Sequence, residues 1–147
     1  FSSGLEKVKV PLDLALIAGM GTPTILSILH HDIEKLKDIH YLLIDAHNQL
    51  PELRKEVTRL GYKIIDEEIV EEEQVFYELV LFERGEESYL QEDYDFGPIL
   101  RKEKDATFKK KWQGKIQKNL ELLKNPLLTE NRKKELMDEI HYWEKQL

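Results

Sequence analysis

The sequence contains no cysteine, which excludes disulfides, thiolate metal sites and cysteine nucleophiles together and suits a reducing compartment. Long apolar runs are missing too. The longest, residues 12–20, is interrupted by Asp13 and falls well short of the ~18 residues of a membrane span. No secretory signal is visible, so a cytoplasmic protein without membrane contact is expected. His30, His31, His40 and His141 follow no metal-ligand spacing, so structural or solvated roles are expected for them and no metal site. An initiator methionine is also lacking, since the first residue is Phe1, and a fragment of a longer chain is the expectation.

What is present suffices for a folded core. Of 147 residues, 41% are hydrophobic and 35% charged, with a formal net charge of -7. These values fit one domain, or one domain plus an appendage, and not a disordered chain. The charge is uneven: residues 1–100 are strongly acidic, whereas residues 101–119 carry eight bases and two acids. Screening over a Debye length of about 8 Å lets such a basic segment bind a polyanion despite the global sign.

Residues 14–18 form an apolar run ending in Gly19-Met20-Gly21, the pattern of a buried strand and a tight turn. From Thr22 or Pro23 a helix is predicted, with Ile25, Ile28, Leu29, Ile33 and Leu36 on one face. A second strand is predicted over 41–44 and a second helix over 51–60, closed by Gly61. The alternation implies a parallel sheet with right-handed crossovers. Residues 62–70 and 75–84 read as an antiparallel hairpin turning near Glu72 and Glu73, and residues 84–95 as loop. The predicted fold class is α/β: an open, mostly parallel sheet ending in an antiparallel pair, the layout of the class I, Rossmann-like methyltransferase half-sheet.

Two helices broken at Asn125-Pro126 follow. Phe108, Trp112, Ile116, Leu120 and Leu123 recur at helical spacing in the first, as do Leu136, Ile140, Trp143 and Leu147 in the second. Antiparallel pairing sets Phe108 opposite Leu147, Trp112 opposite Trp143, Ile116 opposite Ile140 and Leu120 opposite Leu136, a coiled-coil-like hairpin. At about 100° per residue, Lys104, Lys111, Lys115 and Lys118 fall close together beside that seam and form a stripe. The expected domains are residues 1–97, a partial Rossmann-like domain, and residues 98–147, the helical hairpin.

Gly19 and Gly21 follow a buried parallel strand, where open α/β sheets bind ligands and glycine admits close approach; a plain tight turn fits the same spacing. Asp45, His47 and Asn48 gather polar groups at the same edge, as candidates for catalysis or as helix-capping and loop residues.

The order of short motifs resembles the bacterial S-adenosylmethionine-dependent tRNA (adenine-22-N1) methyltransferase family. The resemblance rests on Ser3-Gly4-Leu5, Ile17-Ala18-Gly19-Met20-Gly21 and Leu60-Gly61-Tyr62-Lys63-Ile64-Ile65-Asp66-Glu67. It continues through Phe76-Tyr77-Glu78-Leu79-Val80, Phe96-Gly97-Pro98-Ile99-Leu100, Lys102-Glu103 and Lys111-Trp112. The family usually reads Ala-Gly-Met-Gly-Gly at the first turn and Gln-Pro-Asn after the next strand; here Thr22 follows Gly21, and Asp45-Ala46-His47-Asn48 stands at the second place, with Asn48 aligned to the family asparagine. Ser3 also precedes Gly4 where an acidic or amide residue is usual.

The resemblance implies S-adenosyl-L-methionine as cofactor, held by Gly4, Leu5, Ala18, Gly19, Met20 and Gly21, and catalysis involving Asn48, Gly19 and Met20. Tyr77 and Phe96-Gly97-Pro98 would border the pocket. It implies tRNA as substrate, with Lys104, Lys111, Lys115 and Lys118 on its phosphates. It also implies that three strands and a cofactor loop precede Phe1. The chain is then the C-terminal two thirds of such an enzyme, inactive alone, with the strand at residues 14–18 a self-associating edge. The alternative is a non-catalytic protein-interaction module on a degenerate methyltransferase fold.

Overall fold

The computed structural model describes residues 14–18 and 21–147. The first two apolar runs become β1 (Leu14–Ile17) and β2 (Tyr41–Ala46), paired in parallel with Leu14 opposite Tyr41 and Ile17 opposite Ile44. Between them lies α1 (Thr22–His31), which has Pro23 in its first turn, where a missing N–H leaves no hydrogen bond unmade. The helix stops short of the predicted Leu36. A 3-10 turn over Lys35–Asp38 buries Leu36 but leaves Ile33 47% exposed. The carbonyls released there find partners: the Tyr62 hydroxyl donates to the Ile39 carbonyl at 2.7 Å, and the Arg84 guanidinium donates to that of Leu36.

Helix α2 (Leu50–Arg59) is followed by Gly61 at a φ of +99°, a left-handed position that glycine adopts without strain. The chain then enters β3 (Tyr62–Glu72) and β4 (Val75–Arg84). The connecting residues Glu73 and Gln74 both have positive φ, as a tight two-residue hairpin requires. Strand order is β1-β2-β4-β3, with β4 antiparallel to both neighbours. The register of β3 against β4 slips between Ile64 and Asp66. This bulge changes the phase of alternation, so Tyr62 and Ile64 are buried before it and Glu67 and Ile69 after it.

One sheet face, carrying Ala15, Ile17, Leu42, Ile44, Val80 and Phe82, packs in a single core with Ile25 and Leu29 of α1 and Leu53 and Val57 of α2. Residues 84–95 are not all loop. They include the start of α3 (Gln91–Phe96), where the Asp93 carboxylate accepts from the Leu90 N–H at 2.8 Å. Tyr89 fastens the preceding segment, because its hydroxyl accepts from the Ile64 N–H at 2.7 Å. A single turn, α4 (Leu100–Glu103), follows.

Contacts divide the chain into Phe1–Lys102 and Glu103–Leu147. The division falls after Lys102 rather than after residue 97, because Glu67 accepts from the Ile99 N–H at 2.9 Å and the Leu100 N–H at 3.4 Å and so ties this segment to β3. The second unit contains α5 (Ala106–Leu122) and α6 (Glu130–Glu144). Asp105 caps α5 by accepting from the Phe108 N–H at 2.9 Å, and Thr129 caps α6 by accepting from the Arg132 N–H at 3.1 Å.

The helices meet antiparallel, with the Trp112 and Trp143 rings 5.8 Å apart as the spacing predicts. Farther along, the expected seam changes. Leu120 and Leu147 are each 39% exposed, whereas Asn119 and Gln146 are buried. Asn119 donates to the Leu136 carbonyl at 3.3 Å and to Glu139 at 3.2 Å. A polar group that satisfies its hydrogen bonds across the helix pair has displaced the neighbouring leucine from the seam.

Candidate active site

Because β1 and β2 are adjacent and parallel, their carboxyl ends bring Ala18 and residues 45–48 to one edge of the sheet. Gly4, Leu5, Gly19 and Met20 lie outside the described residues. Gly21 is the N-cap of α1 and has no side chain to meet the helix's first N–H groups. Asn48 serves instead: its Oδ1 accepts from the Thr22 N–H at 3.3 Å, while the Thr22 hydroxyl donates to the Asn48 carbonyl at 2.6 Å. The two turns after β1 and β2 are thereby clipped together.

The fold does not require glycine at position 21. Its φ is -75°, and among the described residues an added Cβ would make only ordinary contacts, 3.8 Å from Pro23 and 3.9 Å from Asn48. A small residue here leaves the turn open to a ligand.

Asp45 belongs to the sheet face opposite the α1–α2 core, since its chain neighbours Ile44 and Ala46 lie in that core. Asp45 pairs with Leu79 across the strands. Beyond it, the rings of His47 and Tyr77 lie 5.6 Å apart. The Asp45 Oδ1 is shielded from solvent and has no hydrogen-bond partner among the described residues. Burial pushes this carboxyl above its ordinary value, with the nearby His47 opposing the shift and Glu72 adding to it.

Beneath the same edge, on the core side, lies a charged network. Glu78, opposite Ala46 in the sheet, accepts from Arg54 Nη2. Arg54 Nε donates to Glu67 at 2.8 Å, and its Nη1 donates to the Tyr94 carbonyl at 3.0 Å. All three charged side chains are almost fully buried. Burial pushes the Glu67 carboxyl up, while Arg54 and the Ile99 N–H pull it down. The network holds α3 and the Gly97 turn at the sheet edge. The signal for Arg54 is in the sequence, since it shares the buried stripe of α2 with Leu50, Leu53 and Val57 at helical spacing. Glu67 is hidden by the bulge.

The candidate lysines do not form one helical stripe. Lys104 precedes the Asp105 cap and has a φ of +49°, so it stands outside α5. The other three lie on α5. Lys111 Nζ is 5.1 Å from the Trp112 ring centre, and Lys115 Nζ is 5.3 Å from Trp112 and 5.8 Å from Trp143. These are cation–π distances, and Lys118 is exposed. His30 and His40 make structural pairs with Glu56 at 3.3 Å and Glu83 at 3.2 Å. No group of acidic and histidine side chains among the described residues is arranged to hold a metal ion. Among the same residues, no helix is long and apolar enough to cross a membrane.

Comparison with known proteins places these features in context. The family model for tRNA (adenine(22)-N(1))-methyltransferase matches residues 1–145. The tRNA (adenine(22)-N(1))-methyltransferase of Bacillus subtilis (strain 168) is 33% identical over 121 residues, covering 78% of this chain. The chain spans about half, 51%, of that relative's length. A Streptococcus pneumoniae protein solved in complex with S-adenosyl-L-methionine is 30% identical with a TM-score of 0.85, over 99% of this chain and 66% of its own. A protein from M. capricolum, solved with S-adenosyl-homocysteine, is 23% identical with a TM-score of 0.77 over 98% of this chain and 65% of its own, a likeness of fold. With a Rossmann-like half-sheet whose carboxyl edge carries the turns quoted above, and a family match running almost end to end, the chain belongs to the tRNA (adenine(22)-N(1))-methyltransferase family.

Proposed function

We propose that the protein to which this chain belongs transfers a methyl group from S-adenosyl-L-methionine to N1 of adenine 22 in tRNA. The observation that carries this reading is the family match over residues 1–145, joined to a sheet edge where two parallel strands end side by side. When bound, S-adenosyl-L-methionine supplies a methyl group on a positively charged sulfur, open to in-line attack. Adenine N1 brings its own lone pair, so the task of the protein is positioning rather than deprotonation.

Gly21, with room for a close neighbour, and Ala18 are assigned to the cofactor side, together with Gly4, Leu5, Gly19 and Met20. Asn48 holds the two turns together through Thr22, which suits it to fix their spacing around the reacting atoms. Tyr77 and Phe96-Gly97-Pro98 border the base side, the latter held by the buried Arg54 network. Because N1 lies on the pairing edge, the base must leave its stack before it can react. Lys104, Lys111, Lys115 and Lys118 are assigned to tRNA phosphates.

This chain contributes part of the crevice. Among the described residues, β1 occupies the end of the strand order, with one side paired to β2, and Leu14 there is 43% exposed. We therefore expect the 147-residue chain alone to bind cofactor weakly and to associate through β1. The test of the function is N1-methyladenine formation in an unmodified tRNA transcript by the full-length protein. A protein that binds cofactor yet leaves that nucleoside absent would sink the reading in favour of an interaction module.

A further inference from the structure

We propose that Asp45 is a base-recognition residue, whose carboxylate accepts a hydrogen bond from the exocyclic N6 amine of the target adenine and stabilises the positive charge the ring acquires on methylation. This rests on the function proposed above. Asp45 interrupts an otherwise apolar strand, Tyr41–Ala46, and its Oδ1 is buried without a hydrogen-bond partner among the described residues. A buried acceptor left unmade is destabilising, and a ligand that donates to it is one way in which that cost is relieved.

The position says what that use is. Asp45 is one residue from the carboxyl end of β2, on the edge where open α/β sheets meet their ligands. His47 and Tyr77 lie beyond it, their rings 5.6 Å apart and tilted 59° to each other. Asn48, close by in sequence, is engaged with Thr22 through its Oδ1 and its carbonyl, so those acceptors are occupied. Among the described residues at this edge, Asp45 Oδ1 is a buried side-chain acceptor left without a partner, the kind of group a ligand N–H would satisfy.

Adenine offers a matching donor. As the N1–carbon bond forms and the methyl–sulfur bond breaks, sulfur keeps the bonding pair and the ring gains one positive charge, spread over N1, C6 and N6. The N6–H bonds stay intact and become stronger donors. An acceptor aimed at N6 thus interacts more strongly with the charged ring than with the neutral one, the condition for lowering a barrier.

The experiment uses the full-length protein, with tRNAs carrying adenine, 1-methyladenine or purine at the target position. Purine lacks the N6 amine. The wild type is expected to bind the cationic 1-methyladenine form tightest and the purine form weakest, and Asp45→Asn to lose roughly ten- to hundred-fold of that preference. In the variant kcat is expected to fall by a similar factor with both KM values little changed, and Tm not to fall. A variant that keeps the full wild-type preference among the three tRNAs, or that loses stability and nothing else, overturns the proposal. A wild type that forms no N1-methyladenine overturns the function on which it rests, so the two failures are distinct.

Discussion

Arg54 donates from Nε to Glu67 at 2.8 Å, and solvent reaches neither side chain. The pair bridges α2 and β3 and, through the Tyr94 carbonyl and the Ile99 N–H, fixes the segment at the sheet edge. Removing the arginine would strand two buried carboxylates, Glu67 and Glu78. Arg54→Ala is therefore expected to lower stability by roughly 3–5 kcal/mol, and Glu67→Gln, which keeps an acceptor, by less. Urea unfolding of both variants checks the order; equal or negligible losses would refute the network's role.

Gly97 sits on this network with a φ of +92°. An added Cβ would lie 2.8 Å from Arg54 Nη2 and from both Glu67 carboxylate oxygens. Gly97→Ala is expected to lower stability by about 1–3 kcal/mol from backbone strain alone, before any displacement of the pair. Thermal unfolding gives the measurement, and an unchanged midpoint would show that the segment moves aside freely.

The sequence pattern makes the parallel pair β1–β2 and the hairpin legible, because apolar alternation and glycine at a helix end are local signals. Strand β4 occupies residues 75–84 as its pattern indicates. What escapes the pattern is tertiary. Residues 91–96 are too polar and too few to signal a helix, and it is Phe96 in the core and Arg54 on the Tyr94 carbonyl that hold α3 in place. Glu67 is invisible until the bulge at Ile64 and Asp66 turns it inward. Asn119 takes a seam position beside Leu120 because its donors reach α6. Of the site, the shared edge is legible; the Thr22–Asn48 clip needs the two turns brought together in space.

Asp45 carries a pH signature in stability as well. Its carboxyl is raised in the fold by burial, opposed by His47 and reinforced by Glu72. The folded state thus holds this proton more tightly than the unfolded chain, so its contribution is full below the unfolded value and is lost as pH rises through the folded one. Asp45→Asn removes the ionisation. The variant is expected to gain on the wild type at neutral pH, and that gain is expected to shrink as pH falls below the raised value toward about 4. Denaturation midpoints of both proteins across this range provide the check, and a gap independent of pH would contradict the assignment.

The basic segment supplies the last test. Lys111 and Lys115 stand against the Trp112 ring at 5.1 and 5.3 Å, with Lys118 exposed farther along α5. A helix that carries this much positive charge on an acidic chain is suited to a polyanion, and each phosphate neutralised releases counterions. Lys115→Ala and Lys118→Ala in the full-length protein are expected to weaken binding of all substrate tRNAs about equally and to reduce the salt slope by roughly one each. Lys104 is separated from α5 by the Asp105 cap and a left-handed backbone turn, so it does not share their helical face. If Lys104→Ala nonetheless matches the other two in slope, the phosphate track runs beyond α5. If Lys115→Ala and Lys118→Ala leave both affinity and slope unchanged, the helix is a solvated face and tRNA is held elsewhere. Unfolding midpoints separate these outcomes from misfolding. Lys118 is expected to leave stability nearly unchanged, whereas loss of the Lys115 cation from two indole rings is expected to lower it by about 0.5–1 kcal/mol.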